Sequence, residues 1–115
     1  MKRALGLKGE TIAANYLKKH GYQIMARNFY TRYGELDIIC KKGQALIFVE
    51  VKTRRSASYG TPEEAVTPRK IEHLKKAAYI YLEQHQEFFK ELRFDVIGIL
   101  MQGDNIKINH INNAF

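Results

Sequence analysis

Ala45-Leu46-Ile47-Phe48-Val49-Glu50-Val51-Lys52-Thr53-Arg54 is the stretch that decides the fold. From Ala45 to Thr53 it carries the clearest strand signal in the chain. Side chains on a strand alternate between faces, so Ile47, Val49 and Val51 share one face while Phe48, Glu50 and Lys52 share the other. The run before it, Gly34-Glu35-Leu36-Asp37-Ile38-Ile39, predicts a strand from Glu35 to Cys40, joined to the first by the turn Lys41-Lys42-Gly43-Gln44. An acid on one strand then faces a Glu-x-Lys on the next. Carboxylates placed this way can hold a divalent metal, and a lysine one strand repeat away can steady the charge that develops on a phosphate under attack. The arrangement reads as a metal-dependent nuclease.

Working outward, Ala4 to His20 has a helical pattern, with Leu5, Ile12, Ala13, Tyr16 and Leu17 on one broad face and Gly21 as its stop. Glu10 stands at the border of that face. Its neighbours one turn away are Gly6, Leu7, Ala13 and Ala14, so no cation on the helix is placed to pair with it. Small flanking residues let a helix lie close to a sheet and aim the carboxylate across it; an ordinary surface glutamate is the plainer alternative. Tyr22 to Tyr30 predicts a strand and Thr31-Arg32-Tyr33-Gly34 a turn. Beyond the central strand, Arg54 to Gly60 reads as a flexible basic loop, and Thr61-Pro62-Glu63-Glu64 as a capped helical turn. Thr67-Pro68 opens the longest helix, which runs to about His85 with Ile71, Leu74, Ala78, Tyr81 and Leu82 buried. Leu92–Leu100 and Ile106–Ile111 are two more strands around the turn Gln102-Gly103-Asp104-Asn105. The order α-β-β-β-α-β-β predicts one α/β domain over residues 1–115, a mixed sheet with helices packed on it.

Charge is divided unevenly. Residues 1–60 hold twelve Lys/Arg against four Asp/Glu, a balance of +8, whereas residues 61–115 hold seven against eight, a balance of −1. The four acids of the basic half are Glu10, Glu35, Asp37 and Glu50. A basic surround draws a polyanionic backbone, and acids inside it need a cation before a phosphate can approach. A face charged only for solubility is the competing explanation.

Other chemistries find little support. Cys40 is the only cysteine, which excludes an internal disulfide and suits a reducing, cytoplasmic setting. Met1-Lys2-Arg3 is followed at once by Gly6, Lys8, Gly9 and Glu10, so no apolar signal region forms, and the longest apolar run, Ala45 to Val49, is too short to span a bilayer. His20, His73, His85 and His110 match no zinc spacing. No glycine-rich phosphate loop and no nucleophilic Ser or Cys motif is present, which sets aside NTP hydrolysis and acyl transfer. Asp95, between Phe94 and Val96, reads as a structural acid paired with an arginine.

Four motifs, Gly9-Glu10-x-x-Ala13, Gly34-Glu35-x-Asp37-Ile38-Ile39, Phe48-Val49-Glu50-Val51-Lys52-Thr53-Arg54 and Arg93-Phe94-Asp95-Val96, occur in an order that resembles the YraN-like family of small bacterial proteins over nearly the whole chain. That family is similar to a branch of the PD-(D/E)XK nucleases, near the archaeal Holliday-junction resolvases. The resemblance implies a restriction-endonuclease-like mixed sheet flanked by helices and Mg²⁺-dependent phosphodiester hydrolysis. By position, Glu10 corresponds to the helical acid, Asp37 to the central metal acid, and Glu50 and Lys52 to the Glu-x-Lys pair. The superfamily's proline is missing, since Leu36 precedes Asp37.

The expected site therefore has Asp37, Glu50 and the Val51 carbonyl holding Mg²⁺ or Mn²⁺, with Glu10 joining directly or through water and Lys52 acting on the attacking water and the phosphate. Glu35 is within reach of the same site, or is a structural partner of Arg32 or Lys52. Arg54 and Arg55 are the expected phosphate contacts, and Lys70, among the nucleic-acid-binding candidates, stands where the resemblance implies a further polar active-site residue; solvated charge is the alternative for each. By analogy with the resolvases the substrate is DNA, branched DNA in particular, and two symmetric cuts would call for a homodimer. A non-catalytic nucleic-acid-binding module on the same fold is the alternative function.

Overall fold

The computed structural model describes residues 4–56 and 60–115. Met1-Lys2-Arg3 and positions 57–59 of the expected basic loop lie outside the described residues. The elements follow the expected order: α1 (Ala4–Lys19), β1 (Gln23–Thr31), β2 (Gly34–Lys42), β3 (Ala45–Arg54), a 3₁₀ turn (Glu63–Ala65), α2 (Pro68–Gln84), β4 (Glu91–Gln102) and β5 (Asn105–Ile111). The five strands form one mixed sheet in chain order. Neighbours are antiparallel except β3 and β4, which run parallel and are joined through α2.

Local chemistry fixes the helix ends. Gly21, at φ +88, donates its N–H to the Lys18 carbonyl, and Tyr22 donates to the Leu17 carbonyl, so the last carbonyls of α1 are satisfied by a left-handed glycine. At the other helix, Thr67 Oγ1 accepts the Lys70 N–H and Pro68 takes the first helical position. Each helix covers one face of the sheet. Ala13, Ala14 and Leu17 of α1 pack with Ile38, Cys40, Ile47, Val49, Val51, Ile97 and Ile99. On the other face, Leu74, Ala77, Ala78 and Tyr81 of α2 pack with Leu36, Ile39, Leu46, Phe48 and Val96. Burial also pushes the Cys40 thiol up to about 12, so it is a small apolar core residue rather than a nucleophile.

Two departures from regularity position the site. Helix α1 lies so close to β3 that a Cβ on Gly9 would overlap the Thr53 hydroxyl, and this approach brings Glu10 onto the sheet. The second departure lies in β1 and β2. Their pairing passes from Arg27↔Ile38 to Phe29↔Leu36 across Asn28 and Asp37, and Asn28 sits there at φ +53. Residues two apart on a regular strand share a face. Leu36 nevertheless packs in the α2 core and Ile38 in the α1 core, so the strand turns over at Asp37. Pairing of β2 with β3 stops at Ile38↔Val49, whereas β3 stays paired with β4 as far as Arg54↔Leu100. The sheet forks between β2 and β3 at this point.

Candidate metal centre

Asp37 stands in the fork. Its Oδ2 accepts the Val51 N–H at 2.9 Å, so a side chain takes the place of the ladder bond lost where the strands part. A strand residue in an antiparallel pair turns its N–H and C=O toward the same neighbour, which directs the Val51 carbonyl to the same side as Asp37. Glu10 reaches the fork from α1 and Glu35 from the start of β2. One carboxylate oxygen from each of Glu10, Glu35 and Asp37 lies within 4.8 Å of the other two. Glu10 and Asp37 are buried and Glu35 partly so.

Asn28 ties two of the three together. Its Nδ2 donates to Glu10 Oε1 at 2.7 Å and to Glu35 Oε1 at 3.0 Å. An asparagine accepts the left-handed backbone that this position needs more readily than most residues do, and that backbone aims its amide at the acids. Nothing in the strand pattern of Tyr22 to Tyr30 singles Asn28 out. The nearest signal is that an asparagine, which strands disfavour, stands in the middle of one.

Glu50 is not one of the three carboxylates that meet. The trio that meets is Glu10, Glu35 and Asp37, whereas Glu50 follows the alternation of β3 to the α2 side. There its Oε2 lies 3.4 Å from Lys52 Nζ and 3.6 Å from Lys70 Nζ. Its Oε1 is buried and has no hydrogen-bond partner among the described residues. A carboxylate oxygen desolvated and unmatched in this way is costly, and it is a natural acceptor for a cation or an ordered water. Lys70, the expected further polar residue of the site, lies beside Glu50. Arg54 is half-buried at the end of β3, and Arg55 is exposed just beyond it.

An octahedral Mg²⁺ or Mn²⁺ with ligands at about 2.1 Å needs oxygens about 3 to 4.2 Å apart, and it draws them from carboxylates, carbonyls and water. The trio is within a small contraction of that spacing and consists only of hard oxygens. The residues present fit such an ion.

Asp95 shows the contrasting treatment of an acid. It is 0 % exposed, yet Oδ1 accepts from Arg93 Nε (2.9 Å) and the Asn113 N–H (3.1 Å), while Oδ2 accepts from Arg93 Nη2 (3.0 Å) and His110 Nε2 (2.7 Å). Burial alone would push its carboxyl up, but the bonds from His110, Arg93 and Asn113 together hold it below the ordinary carboxylate range. The structural pairing with an arginine is as expected, whereas His110, fifteen residues on and across the β4–β5 pair, was not legible as its second partner.

The fold and site define a small α/β protein with an acidic cluster at the fork of a mixed sheet. The profile described as "Uncharacterised protein family UPF0102" matches residues 9–99, and the chain belongs to that YraN-like family. It is 61 % identical over 115 residues to a UPF0102 protein of Syntrophomonas wolfei, covering all of both chains. To one from Geobacter metallireducens it is 46 % identical over 113 residues, 98 % of this chain and 93 % of the relative. To one from Caldicellulosiruptor saccharolyticus it is 47 % identical over 116 residues, 99 % and 98 % of the two chains. Among the described residues no helix is long and apolar enough to cross a membrane.

Proposed function

We propose that this chain is a divalent-metal-dependent endonuclease of the PD-(D/E)XK kind, hydrolysing phosphodiester bonds in DNA, branched DNA included. The observation that carries the reading is the meeting of Glu10, Glu35 and Asp37 oxygens within 4.8 Å, beside a strand that also presents Glu50 and Lys52. Glu10, Asp37 and Glu35 would hold Mg²⁺ or Mn²⁺, with the Val51 carbonyl and Glu50 alongside. Such an ion, when bound, supplies Lewis-acid polarisation of a phosphoryl oxygen and a water of lowered pKa.

The chain's own groups do the rest. Lys52 carries a positive charge next to Glu50 and is partly exposed, so its ammonium can donate to a phosphate oxygen entering the fork. Asn28 holds Glu10 and Glu35 at fixed spacing before any ligand arrives, which is the preorganisation that such a site needs. Arg54 and Arg55 follow on the same strand end and draw the backbone in. Two cuts on symmetry-related strands would need two copies of the chain, so a homodimer belongs to the proposal. A buried thiol as the only cysteine suits a reducing cytoplasm.

One observation favours the non-catalytic alternative. Glu50 is flanked by Lys52 and Lys70, so the charge of this acid is met by lysines without a metal ion. The experiment is a cleavage assay on four-way, flapped and linear DNA with Mn²⁺, for wild type, Asp37→Asn and Lys52→Ala. Metal-dependent cutting lost in both variants supports the enzyme. DNA binding with no cutting by wild type supports the binding module.

A further inference from the structure

On the α2 side of the sheet, beyond the helix, one face is left open among the described residues. Phe48 and Val96 mark the residues that point to this side. By two-residue alternation Lys52 and Arg54 of β3 and Gly98 and Leu100 of β4 share it. The pairs Gly98↔Asn109 and Leu100↔Lys107 add Asn109 and Lys107 of β5. These six residues line a groove of about 640 Å³, inside the range of about 300–1,000 Å³ typical of ligand sites. Pro62 closes one end, packed so tightly on β4 that a Cβ on Gly98 would overlap its ring.

The lining specifies an occupant. Three cations and, among the described residues, no carboxylate line the groove. The Glu64 carboxylate near its rim is taken up by the Thr61 hydroxyl and N–H, at 2.8 and 3.3 Å. Between the cations the floor is the partly exposed ring of Pro62, which covers buried Gly98, and the half-buried Leu100. Asn109 brings one amide with both donor and acceptor capacity. A flat apolar body with a hydrogen-bonding edge and an attached anion satisfies all three features at once. A nucleotide is such a body, and a positively charged groove that tracks the backbone is how unpaired strands are held. Lys52 lines this groove and follows Val51, whose N–H meets Asp37 in the fork, so in the nuclease reading a strand whose phosphate meets Lys52 continues into the groove. A base stacked within a duplex has no free face to offer.

We propose that this groove receives an unpaired nucleotide of a DNA strand next to the phosphate at the fork, so that the preferred substrate is DNA with unpaired nucleotides at the cut. Its placement beside the cut rests on the nuclease reading, whereas the binding itself needs no metal.

The test is fluorescence anisotropy, in chelator and low salt, with a labelled single-stranded oligodeoxynucleotide and a blunt hairpin duplex of the same sequence. Wild type is expected to bind the single strand about tenfold more tightly than the duplex. Lys107 and Asn109 are exposed on an edge strand, and thermal melts check that their variants fold. Lys107→Glu and Asn109→Glu should each remove most of the preference, and Lys107→Arg should keep it. Lys90→Glu, an exposed position just before the start of β4, should leave the preference unchanged. Equal wild-type affinity for the two probes overturns the proposal, as does a preference that survives both glutamate variants, or tenfold tighter binding of the matching RNA strand. A groove-dependent preference without Mn²⁺-dependent cutting sustains the groove and removes the nuclease. Mn²⁺-dependent cutting without the preference removes the groove and leaves the nuclease.

Discussion

Asp95 and the acids of the fork are buried in the same small protein by opposite means. Asp95 is matched by a guanidinium, an imidazole and a backbone N–H, so both of its oxygens are occupied by donors that lie within the fold. Glu10, Glu35 and Asp37 are instead turned toward one another, and their donors among the described residues include two neutral groups, the Asn28 amide and the Val51 N–H. Neighbouring carboxylates repel, and neutral donors soften that repulsion without removing it. An acid matched by cations serves stability. Acids gathered around a shared point serve a ligand that brings its own positive charge, and the difference between the two regions can be measured.

The largest expected effect comes from breaking the satisfied acid. Asp95→Ala leaves Arg93 and His110 without their carboxylate in a buried setting, and urea denaturation should show a loss of about 3–5 kcal/mol. The fork should respond in the other direction. Asp37→Asn removes one of three mutually repelling charges while keeping an oxygen for the Val51 N–H, so stability without metal should stay level or rise by up to about 1 kcal/mol. Equal losses in the two variants would erase the distinction drawn here.

Next in size is the response to metal. If the trio binds Mn²⁺ only when folded, wild type should gain about 2.7 kcal/mol at a hundredfold excess over Kd, read as a rise in Tm, and Asp37→Asn should lose that gain. Gly9→Ala then tests how α1 delivers Glu10. The new methyl meets the Thr53 hydroxyl, so the helix must shift, at a cost of about 1–3 kcal/mol and with a weakened Mn²⁺ response. A Gly9→Ala protein with undiminished metal stabilisation would show that Glu10 is dispensable.

The acid limb of stability sharpens the comparison further. The Asp95 carboxyl is held below its ordinary value of 3.8 in the fold. It therefore contributes stability that is present above that pH and is lost as pH falls through the folded value. Melting temperatures from about pH 5 down to about pH 2 should fall in wild type and fall less in Asp95→Asn. Parallel limbs would mean that other carboxylates control acid unfolding. The smallest effect belongs to Asn28→Gly, which preserves the left-handed backbone and deletes the amide. It should cost about 1 kcal/mol in urea and weaken the Mn²⁺ response, since Glu10 and Glu35 lose their common donor.

The fold was legible in the sequence because its signals are local. Period-two runs, Gly21 at a helix end, Thr67-Pro68 at a helix start and short polar turns each act within a few residues, and the observed elements match them closely. The acids were legible too, because four of them stand out in a basic half-chain. Their final grouping was not, because it depends on where strands part. Strict alternation on β2 gives no hint that Leu36 and Ile38 pack on opposite faces, and that turn is what leaves Asp37 in the fork. Glu35, which alternation placed within reach of Asp37, joins the trio, and Glu50 takes two lysines instead. Asn28 escaped notice because a strand pattern ranks residues by burial, and its role comes from a backbone conformation. The close contacts at Gly9 and Gly98 were equally hidden, since a glycine in sequence does not say what lies against it.

The most direct test of the account is a calorimetric titration of Mn²⁺ into the purified chain, run beside Asp37→Asn and beside His110→Gln, which disturbs the satisfied acid and a Tyr16 contact but none of the fork carboxylates. The account predicts saturable binding in wild type and in His110→Gln, and its loss in Asp37→Asn. Binding of equal strength in all three, or no saturable binding in wild type at millimolar Mn²⁺, would contradict it.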